Sequence, residues 1–345
     1  MNRQETETSA RYNELDALRG IAALIVIFFH FVLYADLYGS IFILGTTGVD
    51  LFFMISGFVM LLSIQKITAA KQFVVSRFSR LYPTYWTAVT FTFILIVLEC
   101  IFRLNKNPYD IIKYLSNMTM FQYYLSIPDL DGPYWTMIIE MLFYVLIILL
   151  YQFKALKYLI PGGILCSIAT TILCNYFYDS TLVKELVYWF PLVLYLPLFL
   201  TGTLFYQLYT QRTQITYRYT CILLCMLIQL SLFKFAGRSN YYISINQYSI
   251  MLAIYYALFA LFIHGKLQFI VNSITLFLGK ISYALYLIHQ HISMVILLPL
   301  LTQTYQLNFW VACILIDLPI VIGIAALITY RIEIPFRKKI KAWLS

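Results

Sequence analysis

Residues 15–34 read LDALRGIAALIVIFFHFVLY, and the fold class turns on this stretch. A helix of that length rises about 30 Å at 1.5 Å per residue, which is the thickness of a bilayer's hydrocarbon layer. Asp16 and Arg19 lie within it and no small-residue cleavage site follows, so it is expected to be a retained spanning helix and not a signal peptide. The whole chain agrees with its first helix. Of 345 residues 62% are hydrophobic and 11% charged, whereas a water-solvated domain carries roughly 25% charged residues.

Nine further apolar stretches extend the pattern, giving candidate spans at 15–34, 46–65, 84–103, 134–152, 158–177, 186–207, 217–236, 246–263, 277–300 and 308–330. The expectation is an all-α polytopic membrane protein of about ten transmembrane helices, forming a single domain over 1–345. Pro191 and Pro197 fall inside the sixth stretch, where neighbouring helices can satisfy the freed carbonyls. If the N-terminus is cytoplasmic, most of the basic residues alternate to the inner side, among them Arg3, Arg11, Lys66, Lys71, Arg77, Arg80, Lys154, Lys157 and Arg212. The outer side holds Arg103, Lys106, Lys113, Lys184, Lys234 and Arg238. Charge asymmetry of this kind orients membrane proteins, and a miscounted helix would spoil it. Both termini are therefore placed in the cytoplasm. The formal charge of +9 follows from helix-end residues and gives no reason to invoke a nucleic acid; the expected surroundings are a lipid bilayer. None of the six cysteines forms a CxxC pair or joins histidines at metal-ligand spacing, so no metal is expected. The connection 104–133 is too long for a turn.

Ionisable groups inside a membrane helix cost several kcal/mol, roughly, and so mark candidate function. In the first span Arg19 and His30 are eleven residues apart, just over three turns, and share a face. Asp50 lies about five residues into the second span and Glu140 about six into the fourth, with His30 about four from the outer end of the first. All three fall roughly 6–9 Å below the outer surface. A base and two carboxylates at one depth could form a catalytic pocket, with a carboxylate fixing the histidine tautomer. On the inner side Arg77 and Arg80 are three residues apart and would share one helical face, suited to holding phosphates; positive-inside anchoring is the bland reading of the same residues. Arg19 would extend that anion site. Ser56 and Trp135 read as packing. His289 and Asp317 sit mid-membrane in the last two spans, either as a structural pair or beside the donor path.

These residues resemble the acyltransferase-3 family of membrane acyltransferases. Leu15-Asp16-Ala17-Leu18-Arg19-Gly20 through His30 looks like its first-helix signature, and Gly48-Val49-Asp50 through Ser56-Gly57-Phe58 its second. Arg77-Phe78-Ser79-Arg80-Leu81-Tyr82-Pro83 is similar to its RxxR motif, and Trp135 through Glu140 to Tyr144 to its fourth-helix segment. Gly279-Lys280-Ile281-Ser282-Tyr283 through His289, and Glu333-Ile334-Pro335-Phe336-Arg337, resemble its last two motifs. Met141 stands where members often carry a second acidic residue. The chain stops soon after the last span, so the soluble esterase-like domain fused to some members is not expected.

The resemblance implies an O-acyltransferase of the cell (inner or plasma) membrane. Its donor would be cytoplasmic acyl-CoA, most often acetyl-CoA. Its acceptor would be a hydroxyl of an extracytoplasmic carbohydrate such as exopolysaccharide or O-antigen. On this reading His30 is the general base, Glu140 or Asp50 orients it, and Arg19, Arg77 and Arg80 bind the donor phosphates. An acyl-histidine intermediate is the alternative chemistry. A glycolipid or polysaccharide transporter or flippase is the alternative function, since ten helices with buried charges would suit it.

Overall fold

A computed structural model describes residues 12–102, 110–211 and 213–344. The basic residues Arg3, Arg11, Arg103, Lys106 and Arg212 lie outside them. Among the described residues every regular element is helical, as the bilayer demands, because a helix satisfies its own backbone where water cannot. In chain order these are α1 (Asn13–Tyr34), α2 (Gly48–Ile64), α3 (Ala70–Phe102), α4 (Ile111–Asn117), α5 (Trp135–Gln152), α6 (Leu159–Phe177), α7 (Thr181–Trp189), α8 (Leu196–Thr210), α9 (Ile215–Leu232), α10 (Ile245–Ile263) and α11 (Ser273–His291). The chain continues from α11 through two π-helical turns to Thr304, and ends in α12, a span over Phe309–Ile340.

Nine helices among the described residues are long and apolar enough to cross a membrane. The remaining expected segment, 186–207, takes a different form. It is split by a 3₁₀ turn at Pro191–Leu194, leaving α7 on one side and the 15-residue α8 on the other. The two prolines therefore start helical elements rather than interrupting one. Each occupies a first turn, where its missing N–H removes no hydrogen bond. α8 is sheathed by its neighbours: residues from Leu196 to Phe205 are all buried. The third span also differs from expectation. It begins at Ala70, so Arg77 and Arg80 ride on the same continuous helix as the apolar run that follows them.

Two helix crossings set the geometry of the interior. α1 packs on α11, and α2 on α8, each through paired glycines. A Cβ on Gly279 would lie 1.9 Å from the Asp16 carbonyl oxygen, and one on Gly20 2.7 Å from the Gly279 nitrogen. Likewise a Cβ on Gly202 would meet the Met54 carbonyl oxygen at 1.9 Å. Lipid tails are as apolar as leucine, so membrane helices associate by close backbone approach, and small residues permit it.

From Asp110 onward the connection between α3 and α5 is held by hydrogen bonds. Asp110 caps α4 by accepting from Ile112 and Lys113, and Asn117 bonds both Pro128 and Leu130. This cap packs on α3, through Tyr82 and Trp86, and on the end of α11, through Asp131 and the His291 N–H.

Candidate active site

Two chambers, with cavity volumes of about 60 and 100 Å³, lie inside the bundle. The first is lined by Arg19, Arg80, Ser56, Glu140, Tyr144 and Tyr283. The second is lined by His30, Asp50, Trp135, Tyr195, Arg238 and Gln290. Val49 and Tyr286 belong to both walls, so the chambers abut. The Tyr286 hydroxyl donates to Thr136 Oγ1 at 3.2 Å across that boundary.

In the second chamber the partner of His30 is another histidine. His289 Nε2 lies 3.0 Å from His30 Nδ1, and His30 Nδ1 also meets the Val26 carbonyl oxygen at 2.9 Å. His289 Nδ1 meets the Tyr286 carbonyl oxygen at 2.8 Å. A carbonyl oxygen can only accept, and these contacts assign both tautomers. His289 carries its proton on Nδ1, which leaves Nε2 as an acceptor. His30 then carries its proton on Nδ1, donating to Val26 and His289, and its Nε2 is left unprotonated, with the Gln290 side chain a further hydrogen-bond partner of the ring. Nε2 is the basic nitrogen of the ring.

The expected carboxylate partner is not there. Glu140 accepts from Ser56 Oγ at 3.0 Å and from the Tyr144 hydroxyl, and so belongs to the arginine chamber. The reason is axial. Ser56 is six residues further along α2 than Asp50, about 9 Å deeper, and Glu140 sits at the Ser56 level. Asp50 does share the second chamber with His30. It is only 6% exposed and its Oδ2 has no hydrogen-bond partner.

Arg19 and Arg80 line the first chamber together, with the charges of Glu140 and Glu333 nearby. Among the described residues neither guanidinium is hydrogen-bonded to a carboxylate. Two like charges facing one cavity form a site for an anion with several acceptor oxygens. Arg77 stands apart. Its Nη2 donates to Ser63 Oγ at 2.9 Å, its guanidinium lies 5.7 Å from the Phe73 ring centre, and Nε and Nη1 are buried without partners. Three residues of helix turn a side chain about 60° away, and that rotation carries Arg77 out of the wall that Arg80 lines.

A model of the acyltransferase domain matches residues 12–330 of the chain. The chain belongs to the acyltransferase-3 family. It is a multi-pass membrane acyltransferase. A protein of Acidianus two-tailed virus that carries an acetyltransferase name is 24% identical over 284 residues, covering 79% of this chain and 80% of the viral one. No solved structure matches the chain.

Several residues of this acyltransferase went unread in the sequence. Ser56 and Trp135 line chambers instead of merely packing. His289 pairs with His30, while Asp317 accepts from Ser293 Oγ at 2.8 Å, so those two do not pair with each other. A signal for His289 was present: it follows Gly279 by ten residues, as His30 follows Gly20. Arg238 and Gln290 gave no signal, because one is a loop residue and the other depends on its placement beside Gly132. A Cβ on Gly132 would lie 2.1 Å from Gln290 Oε1, so the cap presses directly on the chamber. Next to it, Asp131 accepts from Gly132 N at 2.8 Å. Burial pushes its carboxyl up to about 7, against the opposing pull of the His291 and Gly132 N–H groups.

Proposed function

We propose that this acyltransferase moves an acetyl group from cytoplasmic acetyl-CoA to a hydroxyl of an extracytoplasmic carbohydrate, such as exopolysaccharide or O-antigen, at the cell membrane. The observation that carries the reading is the shared wall. A chamber lined by two guanidiniums abuts a chamber with an unprotonated imidazole nitrogen, at Val49 and Tyr286. A donor whose phosphates rest on Arg19 and Arg80 can present its thioester at that wall, where an acceptor hydroxyl meets His30.

His30 Nε2 removes the hydroxyl proton as the oxygen attacks the thioester carbonyl. The tetrahedral intermediate collapses, the C–S bond breaks, and the proton passes from the imidazolium to the departing thiolate. His289 positions the ring. Asp50 accepts a hydroxyl hydrogen bond from the acceptor, and Glu140 holds Ser56 and Tyr144 in the donor chamber. The inside-to-outside direction rests on the excess of basic residues at the arginine end.

General-base catalysis contributes roughly 10²–10⁴-fold, so His30→Ala should lose that much of the rate. The test follows thiol release from acetyl-CoA by purified protein in nanodiscs, with crude surface polysaccharide as acceptor. Release by the wild type that is lost in His30→Ala is the expected result. Full release by the variant would sink the assignment, and substrate movement without any acetyl donor would point to a flippase.

A further inference from the structure

The second chamber contains a charge that the transfer chemistry does not use. Arg238 is the one guanidinium or ammonium group among its lining residues. It lies on the loop between α9 and α10, with its guanidinium 5.4 Å from the ring centre of Trp135. Trp135 packs in turn against Tyr195, at 5.7 Å between ring centres.

The loop is anchored on both sides of Arg238. Before it, the Tyr195 hydroxyl donates to the Ala236 carbonyl at 2.6 Å. Gly237 has φ +93°, and a Cβ there would lie 2.2 Å from the Tyr195 oxygen, so the backbone closes against the chamber wall. After it, Ser239 Oγ lies 3.2 Å from Thr46 Oγ1. A basic residue that merely anchors a protein at the membrane surface extends away from the bundle. This one is held over the aromatic wall of a cavity.

Three groups face it from the elements around. Asp129 of the cap and His30 of α1 feel its charge, and Asp50 of α2 shares the chamber. Among the described residues none is hydrogen-bonded to it. Arg238 is exposed at the chamber's mouth, and a guanidinium with free N–H groups there presents a planar fork that matches a carboxylate or a phosphate.

We infer that Arg238 is an acceptor-binding residue for an anionic carbohydrate, one with a carboxylate or phosphate close to the hydroxyl that is acylated. This rests on the second chamber being the acceptor site. Arg238 takes the anion, and Trp135 supports the guanidinium from behind.

The test is calorimetric binding to the full chain in phosphatidylcholine nanodiscs, without acyl donor. The probes are a galacturonate oligosaccharide, its methyl ester and inorganic phosphate. The free acid should bind about tenfold or more tightly than the ester, as expected for a charge-assisted pair. Arg238→Gln should abolish that difference and Arg238→Lys retain part of it, since lysine keeps the charge and loses the fork. Phosphate that displaces the uronate in the wild type but not in Arg238→Gln would assign the same site to phosphate-bearing sugars. Acid and ester binding alike, neither binding, or a difference that survives Arg238→Gln would overturn the inference. Because no acyl donor is present, the outcome is independent of thiol release. A protein that binds the acid through Arg238 yet never releases thiol would refute the transfer reading alone.

Discussion

At the scale of single residues, His30 shows how a neighbour that can only accept decides chemistry. The Val26 and Tyr286 carbonyls fix two protons and thereby free one lone pair. His289→Leu removes one of the two acceptors on His30 Nδ1, so the ring should lose orientation and kcat should fall roughly 10- to 10²-fold, within the range of a misaligned base. His289→Gln, which restores an acceptor oxygen, should recover part of it, with donor KM unchanged in both. A steady-state kcat and KM series checks this. A rise in donor KM without loss of kcat would instead make His289 part of the donor path. Sequence depth brought His30 and Asp50 together and misplaced Glu140. Depth counted from an estimated helix end carries an error of several residues, and it says nothing about the direction in which a side chain leaves the axis.

At the scale of elements, the α1–α11 crossing aligns the histidines. Gly20 and Gly279 are in contact, and ten residues further along each helix stand His30 and His289. Equal offsets from one crossing bring two residues together only if the helices run parallel, and here both do. Gly279→Ala would drive its Cβ into the Asp16 carbonyl and separate the helices. The expected cost is about 1–3 kcal/mol, seen as a lower unfolding temperature in detergent, together with loss of transfer activity. Gly323→Ala, on α12 with open space around it, should change neither. Equal behaviour of the two variants would mean that the crossing does not hold the pair. The α7–α8 break was not legible, because hydropathy registers apolar length and does not register that Pro191 and Pro197 each begin a new helical element.

At the scale of the whole molecule, the two chambers should answer to different substrates. Arg19→Gln combined with Arg80→Gln removes both guanidinium charges of the first chamber. Donor KM should rise about 10- to 100-fold or more, as for lost charge-assisted hydrogen bonds, and acceptor KM should stay near the wild-type value. Arg77→Gln should act mainly on stability, since its guanidinium bonds Ser63 and lies against Phe73 outside the chamber wall. Equal increases in both KM values would place donor and acceptor in one cavity.

The sequence by itself determined the solvent, the helices and the charge pattern of this protein. Apolar length is set by bilayer thickness, and the need to satisfy every backbone group leaves helices as the form those lengths take. Its motifs also named groups that line the two chambers, among them Arg19, His30, Asp50, Arg80 and Glu140. The tertiary structure decided their company: His289 beside His30, Glu140 with the arginines, and Arg238 at the mouth of the histidine chamber. Those pairings depend on where two helices can approach and how each is rotated about its axis. Both are fixed by side-chain packing against neighbours far away in the chain, which no local spacing records.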